Sequence, residues 1–135
     1  MSKVLDEIFS KAKLLGRTIV LPEGEDSRVV EAASIAAKDG IAKIVVLGNA
    51  DEIKNANPNV DLTNVTVLDP NSDENCQKYA ELLFKLRQGK INKKTGLPEF
   101  AEVEDAKKAM LKDYTMYGAL MIKSGDVYGM VSGAC

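Results

Sequence analysis

Histidine and tryptophan are absent from this sequence of 135 residues, and cysteine occurs only at positions 76 and 135. The lack of histidine excludes imidazole general-base catalysis, the Ser-His-Asp triads and histidine-ligated zinc within the chain. Two widely separated cysteines make neither a disulfide framework nor a CxxC redox or metal motif. Basic residues are not in excess either: 18 Lys and Arg stand against 20 Asp and Glu, a formal charge of −2 without a sustained basic block. A general nucleic-acid groove is therefore disfavoured, because phosphate neutralisation supplies most non-specific affinity in such grooves. No apolar run reaches membrane length and no signal-peptide pattern opens the chain, so no membrane partner and a cytoplasmic location are expected. Any chemistry falls to carboxylates, Lys, Arg, Ser, Tyr, Cys or backbone dipoles.

What is present is ordinary globular material, 45% hydrophobic and 28% charged, at a length that predicts one domain with one core. The stretch Arg17–Arg28 organises the rest. Arg17–Leu21 is a short β-branched run that predicts a buried strand. Pro22 to Glu25 form an acidic turn, and a helix is expected to start near Asp26 or Ser27. That helix carries the small-residue stripe Val29, Val30, Ala33, Ala36 and Ala37 and stops at Asp39-Gly40. The unit then repeats. Ala42–Leu47 predicts a second strand, Asn49 and Glu52 stand at capping-box spacing before a short helix, and Val65–Leu68 predicts a third strand closed by Asp69-Pro70-Asn71. Longer helices are expected over Ser72–Gln88, Glu102–Leu111 and Tyr114–Lys123, the last capped by Asp113. Residues 90–98 read as an exposed basic loop, and a final strand covers Val127–Val131. Ahead of all this, Val4, Leu5, Ile8, Phe9, Ala12 and Leu15 fall at helical spacing.

Helices alternating with strands, without a hairpin signal, predict an α/β fold: a mostly parallel sheet with helices on both faces and right-handed crossovers. A chain that stops directly after a strand and its glycine turn is expected to be the first part of a longer enzyme.

Four places invite a functional reading, and each has a plainer one. Glu23, Glu25 and Asp26 can bind a cation, orient a ribose or act as a base; negative charge at a helix N-terminus also simply stabilises the helix. Gly24 either admits a phosphate or satisfies a turn. Arg87, with Lys90, either grips a phosphate or complements a helix C-terminus, whereas Lys93 and Lys94 read as solvated. Ser132-Gly133-Ala134 can line an anion pocket but lacks the GxSxG spacing of a nucleophile elbow. The GxGxxG and P-loop fingerprints are both missing. Cys76 reads as packing.

Several separated blocks together resemble the N-terminal part of the phosphate acetyltransferase family. They are Thr18 to Val29 (Thr-Ile-Val-Leu-Pro-Glu-Gly-Glu-Asp-Ser-Arg-Val), Gly40-Ile41-Ala42 with Val46 to Asn49, Leu86-Arg87 with Lys90, and Gly129 to Ala134. The resemblance implies reversible acetyl transfer between coenzyme A and orthophosphate in an enzyme of two α/β domains that dimerises. It implies small-molecule substrates (acetyl-CoA, phosphate, acetyl phosphate) and no metal or prosthetic group. It also implies that Arg87 contacts coenzyme A, whereas the family's catalytic serine, arginine and aspartate have no counterpart before residue 135. Tyr128 stands where many members carry aspartate, and the segment after Lys90 is longer than the usual link. A phosphate butyryltransferase and a non-catalytic domain related to the family, regulatory or binding, are the alternative expectations.

Overall fold

The computed structural model describes residues 16–91, 94 and 96–132. The amphipathic pattern over residues 2–15 and the turn after Ser132 lie outside them. Nine elements follow in order: β1 (Thr18–Leu21), α1 (Ser27–Lys38), β2 (Lys43–Leu47), α2 (Ala50–Ala56), β3 (Val65–Leu68), α3 (Cys76–Leu86), α4 (Val103–Lys112), α5 (Tyr114–Lys123) and β4 (Gly129–Met130). The strands form one sheet of order β3-β2-β1-β4 with every pairing parallel.

Alternation along the strands divides the core into two. Ile19, Leu21, Ile44, Val46 and Val65 point to the face covered by α1, where they pack on Val29, Val30, Ala32, Ala33 and Ala36. Small side chains at these positions let the α1 backbone approach the sheet. Val20 and Leu47 point the other way, onto Cys76, Tyr79, Ala80, Leu83, Ala106, Met110, Tyr117 and Leu120 from α3, α4 and α5. The expected α/β architecture with helices on both faces is therefore present.

Local chemistry sets the element ends. Asp26 caps α1 by accepting from the Arg28 backbone N–H at 2.9 Å, and Asn49 caps α2 by accepting from the Glu52 N–H at 3.0 Å. Asp113 caps α5 through the Thr115 N–H at 3.1 Å. Two expectations need correction. The long helix begins at Cys76 rather than Ser72, because Asp69 and Asp73 use their side chains to accept from Asn71 and Asn75 N–H groups, holding 69–75 in turns that compete with a helix. The last strand shrinks to two residues, since only Ile19 and Val20 offer it partners on the edge of the sheet. The described residues of 90–98 are exposed and belong to no helix or strand, as expected of a loop, with Ile91 and Pro98 joined by an isolated antiparallel bridge.

Candidate functional site

In an open parallel sheet ligands gather beyond the carboxyl ends of the strands, above all where the strand order reverses. Here β1 leads outward to β2 and β3, and the chain then returns to the other side of β1 as β4. The switch point lies between β1 and β4, and the residues leaving these strands are Pro22-Glu23 and Val131-Ser132. Strand order is invisible in the sequence, but it places the acidic turn and exposed Ser132 at the same edge.

Two adjoining crevices open along this edge. One of about 420 Å³ is lined by Gly24, Glu25 and Asn49, then by Glu52, Asp69, Asn71 and Tyr114 above the floor of Leu47 and Ile53. The other, about 330 Å³, is lined by Pro22, Glu23, Glu25 and the α4–α5 corner from Leu111 to Thr115. Glu25 and Tyr114 line both, so the two meet at these side chains.

The turn that builds the edge is shaped by backbone proximity. A Cβ on Gly24 would collide with the carbonyl oxygen of Leu47 and stand 2.9 Å from Cδ1 of Ile53. Gly48, at φ 153°, meets the same Ile53 methyl. Gly24 needs no positive φ, so turn conformation does not account for it; tight packing of the β1 turn on β2 does, and Gly24 also lines the larger crevice. Asp26 is likewise occupied, as cap and as the partner of Arg28 at 3.0 Å. Glu25 is the carboxylate of the turn that lines both crevices.

Three polar residues outside the expected set stand opposite. Asn71 donates from Nδ2 to the Tyr114 hydroxyl at 2.9 Å and to Oδ1 of Asp69 at 3.2 Å. Burial, then the Asp69 carboxylate, pushes the Tyr114 hydroxyl above the usual tyrosine range, so it stays protonated at neutral pH. One helical turn on, the Tyr117 hydroxyl donates to Asp73, which binds the same loop to the same helix. The signal available in the sequence was the position of Asp69 and Asn71 at the end of a strand, the criterion that singled out Glu23–Asp26.

Arg87 lies elsewhere. It is the C-cap of α3, eleven residues and therefore about 16 Å along the helix from the loop carrying Asn71. Its guanidinium donates to both oxygens of Glu99 at 3.2 and 3.1 Å. Glu99 precedes the amino end of α4, whereas the carboxyl end of α4 lines the second crevice. Arg87 and the carboxyl edge are thus at opposite ends of the α3–α4 layer. Tyr128 is also remote from the edge: its N–H donates to the carbonyl of Thr18 before β4 begins, and Arg17 stacks over its ring at 4.9 Å. Among the described residues no group of three or more Cys, Asp or Glu side chains could hold a metal ion.

An open parallel sheet with helices on both faces and crevices at its carboxyl edge places the chain in the general class of open α/β domains. The sequence model of the family described as "Phosphate acetyl/butaryl transferase" matches residues 3–135, and the chain belongs to that family. It is 40% identical over 131 residues to a phosphate acetyltransferase of Thermoanaerobacterium thermosaccharolyticum, covering 97% of this chain and 37% of that protein. A phosphate acetyltransferase of Acetivibrio thermocellus is 39% identical, over 96% of this chain and 36% of its own length. The crystal structure of a phosphotransacetylase from Streptococcus pyogenes superposes with a TM-score of 0.75 at 31% identity, covering 96% of this chain and 38% of that one. The chain therefore spans little more than a third of the length of these relatives.

Proposed function

We propose that this chain, residues 1–135, is an incomplete N-terminal α/β domain of a two-domain phosphate acetyltransferase. The complete enzyme transfers an acetyl group reversibly between coenzyme A and orthophosphate. The observation that carries this reading is the family match along residues 3–135, together with relatives of up to 40% identity named for that activity. The carboxyl-edge crevices support it by supplying one wall of a cleft. In this reading the groups that bind phosphate and deprotonate the thiol lie in the remainder of the enzyme, which is a cytoplasmic homodimer acting on acetyl-CoA, phosphate and acetyl phosphate, without metal or prosthetic group.

Arg87 is the proposed coenzyme contact. Its partner is Glu99, and with the two side chains 41% and 39% exposed the pair is worth at most about 1 kcal/mol, little for a phosphate to displace. A bidentate fork suits that exchange. Coenzyme A titrated into this chain should bind, and Arg87→Ala should weaken binding about tenfold or more; unchanged affinity removes the assignment. For the activity, the intact enzyme should form acetyl-CoA from acetyl phosphate and coenzyme A and prefer acetyl to butyryl phosphate. The reverse preference would favour a phosphate butyryltransferase.

A further inference from the structure

The larger crevice has a chemical character that fits one part of coenzyme A and not another. Glu25, Glu52 and Asp69 line it, and among the described residues no Lys or Arg does. A phosphate placed there would face three carboxylates at short range, so the phosphates of the coenzyme belong elsewhere. A neutral ligand carrying amide groups meets no such barrier, and it finds the apolar floor of Leu47, Ile53 and Ala56 beneath it.

Tyr114 supplies the directional contact. A tyrosine hydroxyl has one proton to donate and lone pairs to accept with. Asn71 Nδ2 occupies the accepting side at 2.9 Å, and Asp69 restrains the Asn71 amide in turn at 3.2 Å. The proton is left for a group inside the crevice. The hydroxyl is also held in place: Tyr117 binds Asp73, two residues beyond Asn71, so two hydrogen bonds join the loop and α5 in register.

We infer that Tyr114 is a recognition residue for the neutral pantetheine arm of coenzyme A, its hydroxyl donating to an amide carbonyl of that arm within the crevice of Glu25, Asn71 and Ile53. The inference rests on the coenzyme reading above and deepens it. A long ligand with its phosphates at one end and its amide arm at the other also accounts for two contacts at opposite ends of the helical layer, Arg87 for the first and Tyr114 for the second.

The test is a set of calorimetric titrations of the intact enzyme with coenzyme A, pantetheine and adenosine 3′,5′-bisphosphate. Tyr114→Phe should weaken coenzyme A and pantetheine about 3- to 10-fold, the range for one neutral hydrogen bond, and leave the bisphosphate unchanged. Arg87→Ala should do the opposite, weakening coenzyme A and the bisphosphate but not pantetheine. An unaltered thermal midpoint in Tyr114→Phe shows that the ring still packs. If coenzyme A binds and Tyr114→Phe leaves pantetheine unaffected, or weakens all three ligands alike, the assignment of Tyr114 is wrong while the transferase reading stands. If the unmodified intact enzyme binds none of the three ligands, the coenzyme reading falls and this one with it.

Discussion

On the α1 face of the sheet, Val29, Val30, Ala32, Ala33 and Ala36 meet Ile19, Leu21, Ile44 and Val46 through aliphatic contacts, and the polar bond of the buried Ser34, to the Asp61 carbonyl at 2.6 Å, runs to a loop rather than to the sheet. On the opposite face the same strands meet Tyr79, Tyr117, Met110 and Cys76, and the apolar core is crossed by polar bonds. The rings of Tyr79 and Tyr117 pack edge to face with centroids 5.1 Å apart, and their hydroxyls leave in different directions, to Asp126 and Asp73. Aliphatic burial is non-directional, so the α1 face supplies stability without dictating a unique placement. Directional bonds to Asp73, Asp126 and Asn71 fix where α5 and the 69–75 loop sit, and these two segments carry the crevice wall. Stability and placement are therefore separated between the two faces, which makes the comparison open to experiment.

The largest effect is expected on the aliphatic face. Ile44→Ala removes a side chain that is 2% exposed and should cost about 2–5 kcal/mol in a denaturant titration. Coenzyme affinity, measured well below the unfolding midpoint, should be unchanged. A loss of affinity in the folded variant would erase the separation. Gly24→Ala should come next, at about 1–3 kcal/mol, because its methyl must displace the Leu47 carbonyl or the Ile53 side chain; it should also lower ligand affinity, since both line the crevice.

Tyr117→Phe keeps the ring and deletes the bond to Asp73, leaving a part-buried carboxylate without this donor. A cost of about 1–3 kcal/mol and a weaker pantetheine titration are expected. Equal stability would show that the polar clamp contributes only placement. The same face should respond to alkali. Burial, reinforced by the bonds to Asp126 and Asp73, raises Tyr79 and Tyr117 far above the ordinary tyrosine value of 10.0. Because the folded-state value exceeds the unfolded one, their contribution is complete below about pH 10 and is lost as pH rises past it. Phenolate absorbance should therefore develop together with unfolding; free titration of both tyrosines in the folded chain would contradict their burial.

The smallest effect lies at neither face. Asp61 accepts from the Thr63 side chain and backbone N–H and faces Lys38, which together lower its carboxyl from 3.8 to about 2. Its stabilisation is present above pH 4 and disappears as pH falls toward 2, so Asp61→Asn should flatten the acid limb of the unfolding curve slightly.

Much of this was legible along the chain. Periodicity located Val65–Leu68 and Tyr114–Lys123 at their observed bounds, because a β-branched run between turns and an i, i+3, i+4 stripe after a capping aspartate are local signals. The start of α3 was not legible, since Asp69 and Asp73 draw backbone N–H groups into turns that helix propensity does not register. The acidic turn was located correctly, and its plainer reading, stabilisation of a helix N-terminus, holds for Asp26, which caps α1; Gly24 is fixed by packing, while Glu25 lines both crevices and Glu23 the second.

By itself the sequence determined the alternation of elements, the parallel class, the caps Asn49 and Asp113, the start of α1 near Asp26, and family membership, because these depend on neighbours within a few residues or on the order of whole blocks. Tertiary structure alone decided the strand order β3-β2-β1-β4, and with it the switch point that brings Glu23 and Ser132 to one edge. It also decided that Tyr114, 43 positions from Asn71, would share a hydrogen bond with it, and that Arg87 would stand a helix length away. Those outcomes depend on which side of β1 the returning chain occupies, and that is settled by packing three helices onto one face of the sheet rather than by any local pattern.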